Sequence, residues 1–573
     1  MVPQHSADTR RTLFALTAIA SGILLYGITC APGVLWQDSA MFQFRVWHGD
    51  LSGDLGLPLA HPLYILLAKA FSMLPLGSIA FRVNLFSAVC GAACLGFAID
   101  LLLSLTRSRT AAIAGTALLA VSHTFWTHAV IAEVYELYAL GLLAELWLLE
   151  RFFTRSQARW LILALFINGL NTSNHLLALL HAPAYAGIVI WALRDERIRA
   201  KQLLALPTAF LLGSGPYLAL IVTDIAGGQP VLETLKQALV GPPQRADKVL
   251  TYSFPFIHQT LRAGQYFVMN FPTPLAIAAP VGAWLAWKEP RIRWFTLVAG
   301  SVFVVSFLFA FRYRVPDQYV FFFPCYVLLP LFAAIAVPTF VKRSKSPSQN
   351  CGTGVSPVAY PQDCGTGVSP VVDHGRDARA TGVVGIGSKR RKVICLMLAF
   401  LPVAVYEAAP PLMASRNISV GVKRDIPFRD TYAYFLRPRK NGNDGAARFA
   451  RIALAQAEPD GLLIADTTIM NVLVYSRDID GIGRGVSLIL GCDITPAPPT
   501  VALTPHAVKP FAERGAAYVC SNVAGYVKPW IIEEYDLIPS GEPLGVVFRL
   551  QDKSASLRVS YERAMPTSRH HEP

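Results

Sequence analysis

Charged residues are scarce in this chain. They make up 15% of its 573 residues, against 53% for the hydrophobic types. A soluble globular domain carries about 25% charge, so the composition excludes an ordinary soluble protein. Cysteine is sparse as well: nine thiols in 573 residues cannot make a disulfide scaffold. Cys30, Cys90, Cys94, Cys325 and Cys395 fall in or beside apolar runs, where a thiol packs as a small apolar group, and Cys351 and Cys364 belong to a repeat described below. Only Cys492 and Cys520 share the C-terminal region, where an oxidising compartment would let them pair. Familiar catalytic signatures are missing too. Gly481-Ile-Gly483-Arg-Gly485 has neither the lysine nor the Ser/Thr of a phosphate loop and reads as a turn. No Ser-His-Asp or Cys-His arrangement stands out, and His123 and His128 lack the neighbouring ligands of a zinc site. The formal charge of +14 comes without a basic helix or an aromatic-basic stripe, so no nucleic-acid partner is expected.

What the chain has instead is long apolar runs, with a mean hydropathy of +0.42. A helix needs about 20 mostly apolar residues to cross a bilayer. Eleven stretches qualify, at about residues 12–30, 80–105, 110–126, 133–152, 159–174, 176–193, 202–223, 266–287, 294–311, 320–341 and 393–410. Residues 61–76 form a shorter run that carries Lys69. Counting it as a span would invert every later connection, so it is read as re-entrant or interfacial. Arg10 and Arg11 precede the first span, and no small-residue cleavage pattern follows it, so it is expected to be retained. Together with every second connection they hold 23 Lys and Arg, against nine on the opposite side. That asymmetry predicts a cytoplasmic N-terminus and an outward-facing tail.

The expected fold is therefore an α-helical polytopic membrane protein of about 11 transmembrane helices with a C-terminal extracytoplasmic α/β domain. Residues 1–343 form the membrane region, with a first extracytoplasmic loop at 31–79. Residues 389–410 are the last span, and 411–573 the outer domain. In that tail Gly461–Asp466, Val486–Leu490, Ala517–Cys520 and Leu544–Leu550 read as short buried strands, with helical stretches at 444–457 and 506–514 between them. In residues 344–388 the run Cys351-Gly-Thr-Gly-Val-Ser-Pro-Val358 recurs unchanged at 364–371. This segment is rich in Gly, Pro and Ser and reads as a disordered cytoplasmic insertion. It resembles the translated product of a dispersed bacterial genomic repeat, which points to a bacterial host.

The first loop is the chemically informative part. Trp36-Gln-Asp38-Ser39 and His61-Pro-Leu-Tyr64 place a carboxylate, aromatics and a histidine at the membrane boundary. A membrane enzyme needs a base where substrate can reach it. The bland alternative is that Asp38 caps an interfacial helix beginning near Ser39. Glu133 and Glu136 stand one helical turn apart at the outer start of the fourth span. There they line a pocket or merely suit a helix N-terminus, and for Glu136 the second reading is preferred. Asp317 pairs with Arg314 or assists Asp38. His175 and His181, with Asn168, Asn171 and Asn174, are expected to satisfy one another or water within the bundle.

Four segments carry a family resemblance: Gly33-Val-Leu-Trp-Gln-Asp38-Ser39, His61-Pro-Leu-Tyr64, Arg82-Val-Asn84-Leu-Phe-Ser87-Ala88 and Ala132-Glu133-Val-Tyr135. They resemble the N-terminal half of a transmembrane family related to a eukaryotic protein O-mannosyltransferase, within the GT-C glycosyltransferase superfamily. Tyr313–Pro324 and Pro459–Asp466 also resemble its pattern. The resemblance implies inverting transfer of a sugar, mannose in that family, from a polyprenyl-phosphate carrier to an extracytoplasmic hydroxyl on a protein, glycan or lipid. Asp38 would be the catalytic base. Arg312 and Arg314, with His61 and Arg82, would bind the donor phosphate. Glu133, Tyr135, Trp36, Tyr64 and Asp317 would line the acceptor or sugar pocket. No metal site is assigned, and a divalent metal is left open. Two departures bear on this: Ala40-Met41 stands where the family commonly has an acidic residue after the Asp-Ser pair, and a longer His-Pro stretch is shortened to His61-Pro-Leu-Tyr64. The implied setting is a bacterial inner membrane with the C-terminal domain in the periplasm. Two other readings stay open. One is a transporter or flippase of lipid-linked sugars, which many spans with a few polar residues would suit, although no inverted repeat is visible. The other is a noncatalytic envelope assembly protein.

Overall fold

The computed structural model describes residues 4–241, 255–313, 315–342, 387–420, 424–491, 503–543 and 545–553. All but residues 387 and 388 of the expected insertion, together with Arg314 and Cys492, lie outside the described residues.

The chain is an α-helical integral membrane bundle followed by a small α/β domain. Among the described residues, six helices are long and apolar enough to cross a membrane. They begin with α1 (Gln4–Thr29) and α4 (Ile79–Thr106). Leu176–Arg194 follows, ending in α9 (Ala182–Arg194), then α15 (Arg293–Arg312), α17 (Phe323–Lys342) and α18 (Ser388–Ser415). Helices α4 and α17 are buried on most of their surface, whereas α1 and α18 leave most of theirs facing outward, so the former make the centre and the latter the rim.

The expectation of eleven straight spans is corrected in four places. The run at 110–126 divides into α5 (Arg109–Ala120) and α6 (His123–Ala129). The run at 202–223 bends by 73° between α10 (Ala205–Gly213) and α11 (Gly215–Ala226), where Gly215-Pro216 interrupts it. The run at 266–287 bends by 116° between α13 (Phe256–Asn270) and the helical stretch Pro274–Lys288, which ends in α14 (Ala279–Lys288). Finally, α7 (Tyr135–Arg155) is long enough but carries Glu136, Glu145, Glu150, Arg151 and Arg155, and α8 (Ala158–Asn174) is short. With each bent pair counted as one, up to eight spans result. The run at 61–76 contains only the ten-residue α3 (Pro62–Phe71), too short to cross.

Two polar clusters hold the bundle. At the end of α1, α4 and α7 away from Asp38, Arg11 makes two 2.9 Å bonds to Asp100, which also accepts from the Trp147 indole at 2.9 Å. Between the helices, Glu145 accepts from Tyr185 at 3.1 Å and Asn168 at 3.2 Å, and it lies 2.9 Å from His181. Tyr138 is 2.9 Å from the other ring nitrogen of His181. Glu145 thus serves His181 and Asn168, whereas His175 accepts from Leu177 N at 3.1 Å and Asn174 donates to Val134 O at 3.0 Å; an unpaired polar group in hydrocarbon would cost several kcal/mol. The crossing of α8 and α10 uses the smallest residue on both sides: a Cβ on Gly169 would meet Phe210 O at 2.1 Å, and one on Gly213 would meet Phe166 O at 2.2 Å.

The C-terminal domain has a five-stranded sheet in the order β2-β1-β3-β5-β4. Strands β1 (Leu462–Ala465), β2 (Ser487–Leu490) and β3 (Ala517–Val519) are parallel, and β4 (Tyr535–Ser540) and β5 (Val547–Asp552) add an antiparallel hairpin. Helix α21 (Thr467–Asp478) connects β1 to β2, α20 (Gly445–Gln456) packs on it, and α22 (Pro505–Glu513) precedes β3. Asp466 caps α21 by accepting from Thr468 N at 2.9 Å, and it forms a buried ion pair with Arg424.

Candidate functional site

The first loop leaves α1 and is pinned from below. Ala31 N donates to Val130 O at 2.9 Å, and the Asn84 amide donates to Ala31 O and Gly33 O, both at 3.0 Å. Gln43 donates to the Asn84 carbonyl oxygen at 2.8 Å. This explains the asparagine in the Arg82–Ala88 segment: it is the clamp on the loop that delivers Asp38. From above, the same loop is held by the C-terminal domain. Gln37 N donates to Thr468 O and Asn471 donates to Gln37 O, each at 3.2 Å, and Ala80 N donates to the Tyr475 hydroxyl at 3.2 Å.

Asp38 is the first residue of α2 (Asp38–His48). The cap position belongs to Gln37, which has φ of 61° and no side-chain cap bond, and Asp38 stands one residue inside the helix, so it does not hold the cap position that the bland alternative gave it. A positive φ on a non-glycine residue is strained, and such strain collects at functional positions. His61, at the cap of α3, is the other such residue of the site, with φ of 50°.

The structure brings three carboxyl groups into electrostatic range. Glu133, half-buried in the turn before α7, is held well above the usual carboxylate range by burial first, then by the negative charge of Asp38 and of Asp317. Its backbone is fixed by Ser87, whose hydroxyl accepts from Glu133 N at 3.3 Å. Burial and the two neighbouring negative charges both favour the protonated form of Glu133. Tyrosines close the cluster. Tyr319, on the short helix α16 (Gln318–Phe321), is raised by burial and then by Asp317, Glu133, Tyr434 and Asp38. Tyr434, on α19 (Thr431–Leu436), is raised by burial and by Glu133 and Asp38, with Arg429 opposing. Tyr135 packs at 5.3 Å from His175 and 5.4 Å from Phe323.

Other residues expected in the site are placed differently. Trp36 is buried against Phe449 of the C-terminal domain, ring centroids 5.6 Å apart, and serves the core between domain and loop. Tyr64 is fully buried between Phe42 and Phe86 at 5.4 and 5.6 Å. The Arg82 guanidinium is engaged by Ser72 O at 2.5 Å and Leu74 O at 3.1 Å, closing the end of α3. His61 stays near the site, 5.1 Å from the ring of His175, but burial and then Arg45 lower its pKa to about 4, against a bond to Asn174 that raises it. That bond, Nδ1 to Asn174 O at 2.6 Å, has the ring donating, which leaves a neutral imidazole whose Nε2 is an acceptor. Arg312 ends α15, and Arg314 lies outside the described residues. Glu136, expected to suit the helix end, is buried in the bundle with no hydrogen bond to either carboxylate oxygen among the described residues. No group of three or more His, Cys, Asp or Glu arranged to hold a metal ion occurs among the described residues. Tyr319 and Tyr434 were not singled out from the sequence; the aromatic runs Tyr319–Phe323 and Tyr432–Phe435 were the available signal.

His61, Tyr64, Arg82, Glu133 and Tyr135 fall in one stretch with a known counterpart, and Asp317, Tyr319 and Tyr434 lie beyond it. Residues 56–198 match the family model of the protein O-mannosyl-transferase TMEM260 N-terminal domain. The resemblance carried by His61–Tyr64, Arg82–Ala88 and Ala132–Tyr135 is borne out over that stretch, with Asp38 lying before it. The mouse protein O-mannosyl-transferase TMEM260 is 30% identical over 179 residues, which is 30% of this chain and 26% of the mouse protein. The match thus spans about a quarter of that relative's length. Among solved structures, ArnT from Cupriavidus metallidurans bound to undecaprenyl phosphate aligns with a TM-score of 0.49 at 12% identity, over 94% of this chain and 98% of ArnT. The apo oligosaccharyltransferase of Archaeoglobus fulgidus aligns with a TM-score of 0.47 at 11% identity, over 89% of this chain and 69% of the other.

Proposed function

We propose that this protein is a GT-C type membrane glycosyltransferase that moves a sugar, mannose by the family it resembles, from a polyprenyl-phosphate carrier to a hydroxyl on a protein, glycan or lipid. The observation that carries the reading is the meeting of Asp38, Glu133 and Asp317 at one end of the bundle, beside the stretch that matches an O-mannosyl-transferase domain. The basic connections lie at the other end, so the site faces away from the cytoplasm, in the periplasm of a bacterial inner membrane. Nucleotide sugars do not reach that face, and a lipid-carried donor is the remaining source.

In this reading Asp38 removes the acceptor's hydroxyl proton as the oxygen attacks the anomeric carbon from the side opposite the phosphate. The bond from that carbon to the phosphate oxygen breaks, the configuration inverts, and the lipid phosphate leaves. Glu133, carrying its proton, donates a hydrogen bond to acceptor or sugar instead of competing as a second base. Arg312 and Arg314 stabilise the departing phosphate. Arg262, on α13 one turn before Tyr266, whose ring stands 6.0 Å from Tyr319, is a further cation on the same side. His61, neutral and acceptor-only, orients a hydroxyl rather than the phosphate. Purified protein given radiolabelled mannosyl polyprenyl phosphate with peptide, glycan and lipid acceptors should yield labelled product; donor that is moved across vesicles without transfer would instead support a flippase.

A further inference from the structure

The segment joining the last membrane helix to the sheet domain is tied down more heavily than a linker needs to be. Arg439 makes a two-pronged pair with Glu407 of α18, at 2.6 and 3.0 Å, and Arg437 adds a third contact to the same carboxylate at 3.1 Å. Lys440 N donates to Thr29 O at the end of α1 at 2.8 Å. Asp430 caps α19 by accepting from Ala433 N at 2.9 Å. The segment is therefore fixed to the first and last membrane helices at once.

Lys440 is the unusual member. Its side chain is only 2% exposed, and it has no carboxylate partner among the described residues. Its ammonium instead donates to the carbonyls of Tyr434 and Arg437, the latter at 2.7 Å, where α19 ends, and it sits 4.9 Å from the centre of the Tyr434 ring. A cation at a helix C-terminus over an aromatic face is favourable on both counts, and burying a lysine for any lesser purpose is costly. Two of its contacts, a carbonyl and a ring, fall on Tyr434. Tyr434 packs against the cluster that contains Trp36 and Ala40, and its hydroxyl is close enough to Glu133 and Asp38 to respond to both charges. Among the described residues that hydroxyl makes no hydrogen bond.

We infer that residues 424–443 are a strap that completes the substrate site, with Tyr434 contacting the acceptor above Asp38 and Lys440 acting as the positioning residue that sets the Tyr434 ring. The assignment rests on the glycosyltransferase reading. The side follows from the carrier's chemistry: its phosphate arrives from the bilayer, which leaves Tyr434, on the segment leading into the sheet domain, for the acceptor.

The test compares wild type, Tyr434→Phe, Tyr434→Ala, Lys440→Met and the Tyr434→Ala/Lys440→Met pair in a transfer assay with mannosyl polyprenyl phosphate and the acceptor that wild type uses. Tyr434→Phe, which deletes one hydrogen bond, should raise the acceptor KM by about tenfold with the donor KM unchanged. Lys440→Met should show the same split between acceptor and donor. The double variant should be no worse than Tyr434→Ala alone, because Lys440 acts through Tyr434. Additive losses, or an effect on donor KM, would overturn the inference. Should Lys440→Met fail to fold, Tyr434→Phe still decides, since it leaves every strap contact in place. Absence of transfer by the wild-type protein would refute the glycosyltransferase reading instead; partial protease digestion then reads the strap directly, with faster cleavage in 424–443 of Lys440→Met expected and equal cleavage overturning its positioning role.

Discussion

Replacing Asp38 and Glu133 by their amides separates the two carboxyl groups by role. Both substitutions preserve size, so packing changes little. If Asp38 takes the acceptor proton, Asp38→Asn removes a contribution of about 10²–10⁴ in rate, or about 2.7–5.4 kcal/mol of barrier at 1.36 kcal/mol per decade. Glu133 is different because burial and the charges of Asp38 and Asp317 hold its pKa well above the usual carboxylate range. Glu133→Gln retains a neutral donor and loses only the capacity to ionise, so kcat should fall by less than about tenfold. The same comparison predicts a stability signature. As pH rises past the usual glutamate value, the unfolded chain releases this proton while the folded chain keeps it, so wild-type stability declines until the raised folded value is passed. Gln has no proton to release, so the thermal midpoint of Glu133→Gln should gain on wild type as pH rises from 5 to 8. Initial rates at saturating donor and acceptor, with melting curves at four pH values, measure both effects. A loss in Glu133→Gln equal to that in Asp38→Asn, with an unchanged pH dependence of melting, would refute the division of roles and make Glu133 the base.

Three further outcomes are expected. Asp466→Ala leaves the Arg424 guanidinium buried without its counter-charge and α21 without its cap, so the C-terminal domain should lose about 3–5 kcal/mol by chemical denaturation, whereas Asp466→Asn should keep the cap and lose less. The His61 pKa of about 4 lies below its ordinary value of 6.5, so the unfolded chain binds an extra proton between those values and stability drops as pH falls through that window; His61→Gln should flatten the melting curve against pH there. Single cysteines at Ser388 and Ser540 in sealed cells should be labelled by an impermeant reagent only at the latter, and the reverse pattern would place the candidate site on the cytoplasmic face.

Legibility from the sequence followed the range of the interaction. Apolar runs announced the helices at 79–106, 293–312 and 323–342, because crossing a bilayer imposes a composition on every residue of the span. Short apolar runs likewise announced β1, β2, β3 and β5. The bends were written locally as well, in Gly215-Pro216 and in Phe271-Pro-Thr-Pro274, but apolarity on both sides masked them. Trp36 was misplaced for a different reason. An aromatic residue at a membrane boundary suits a pocket as well as a core, and its partner Phe449 stands more than four hundred positions away. Tyr434 had only the short aromatic run Tyr432–Phe435 to mark it among 20 tyrosines; the path of the strap gives it a role. Asp38 and Glu133 stood out as candidates because a carboxylate at the edge of an apolar span needs a reason to be there.

The hydrogen bonds between Gln37 and the Thr468–Asn471 turn also order events in time. Residue 38 is synthesised about 430 residues before the backbone that fixes its neighbour. A growing chain can insert its helices and present an aspartate at the membrane boundary long before that aspartate is held in its strained turn. On the proposed glycosyltransferase reading, nascent protein would therefore be inert toward its donor until the sheet has folded and docked, and a chain whose C-terminal domain misfolds would be silent rather than unselective.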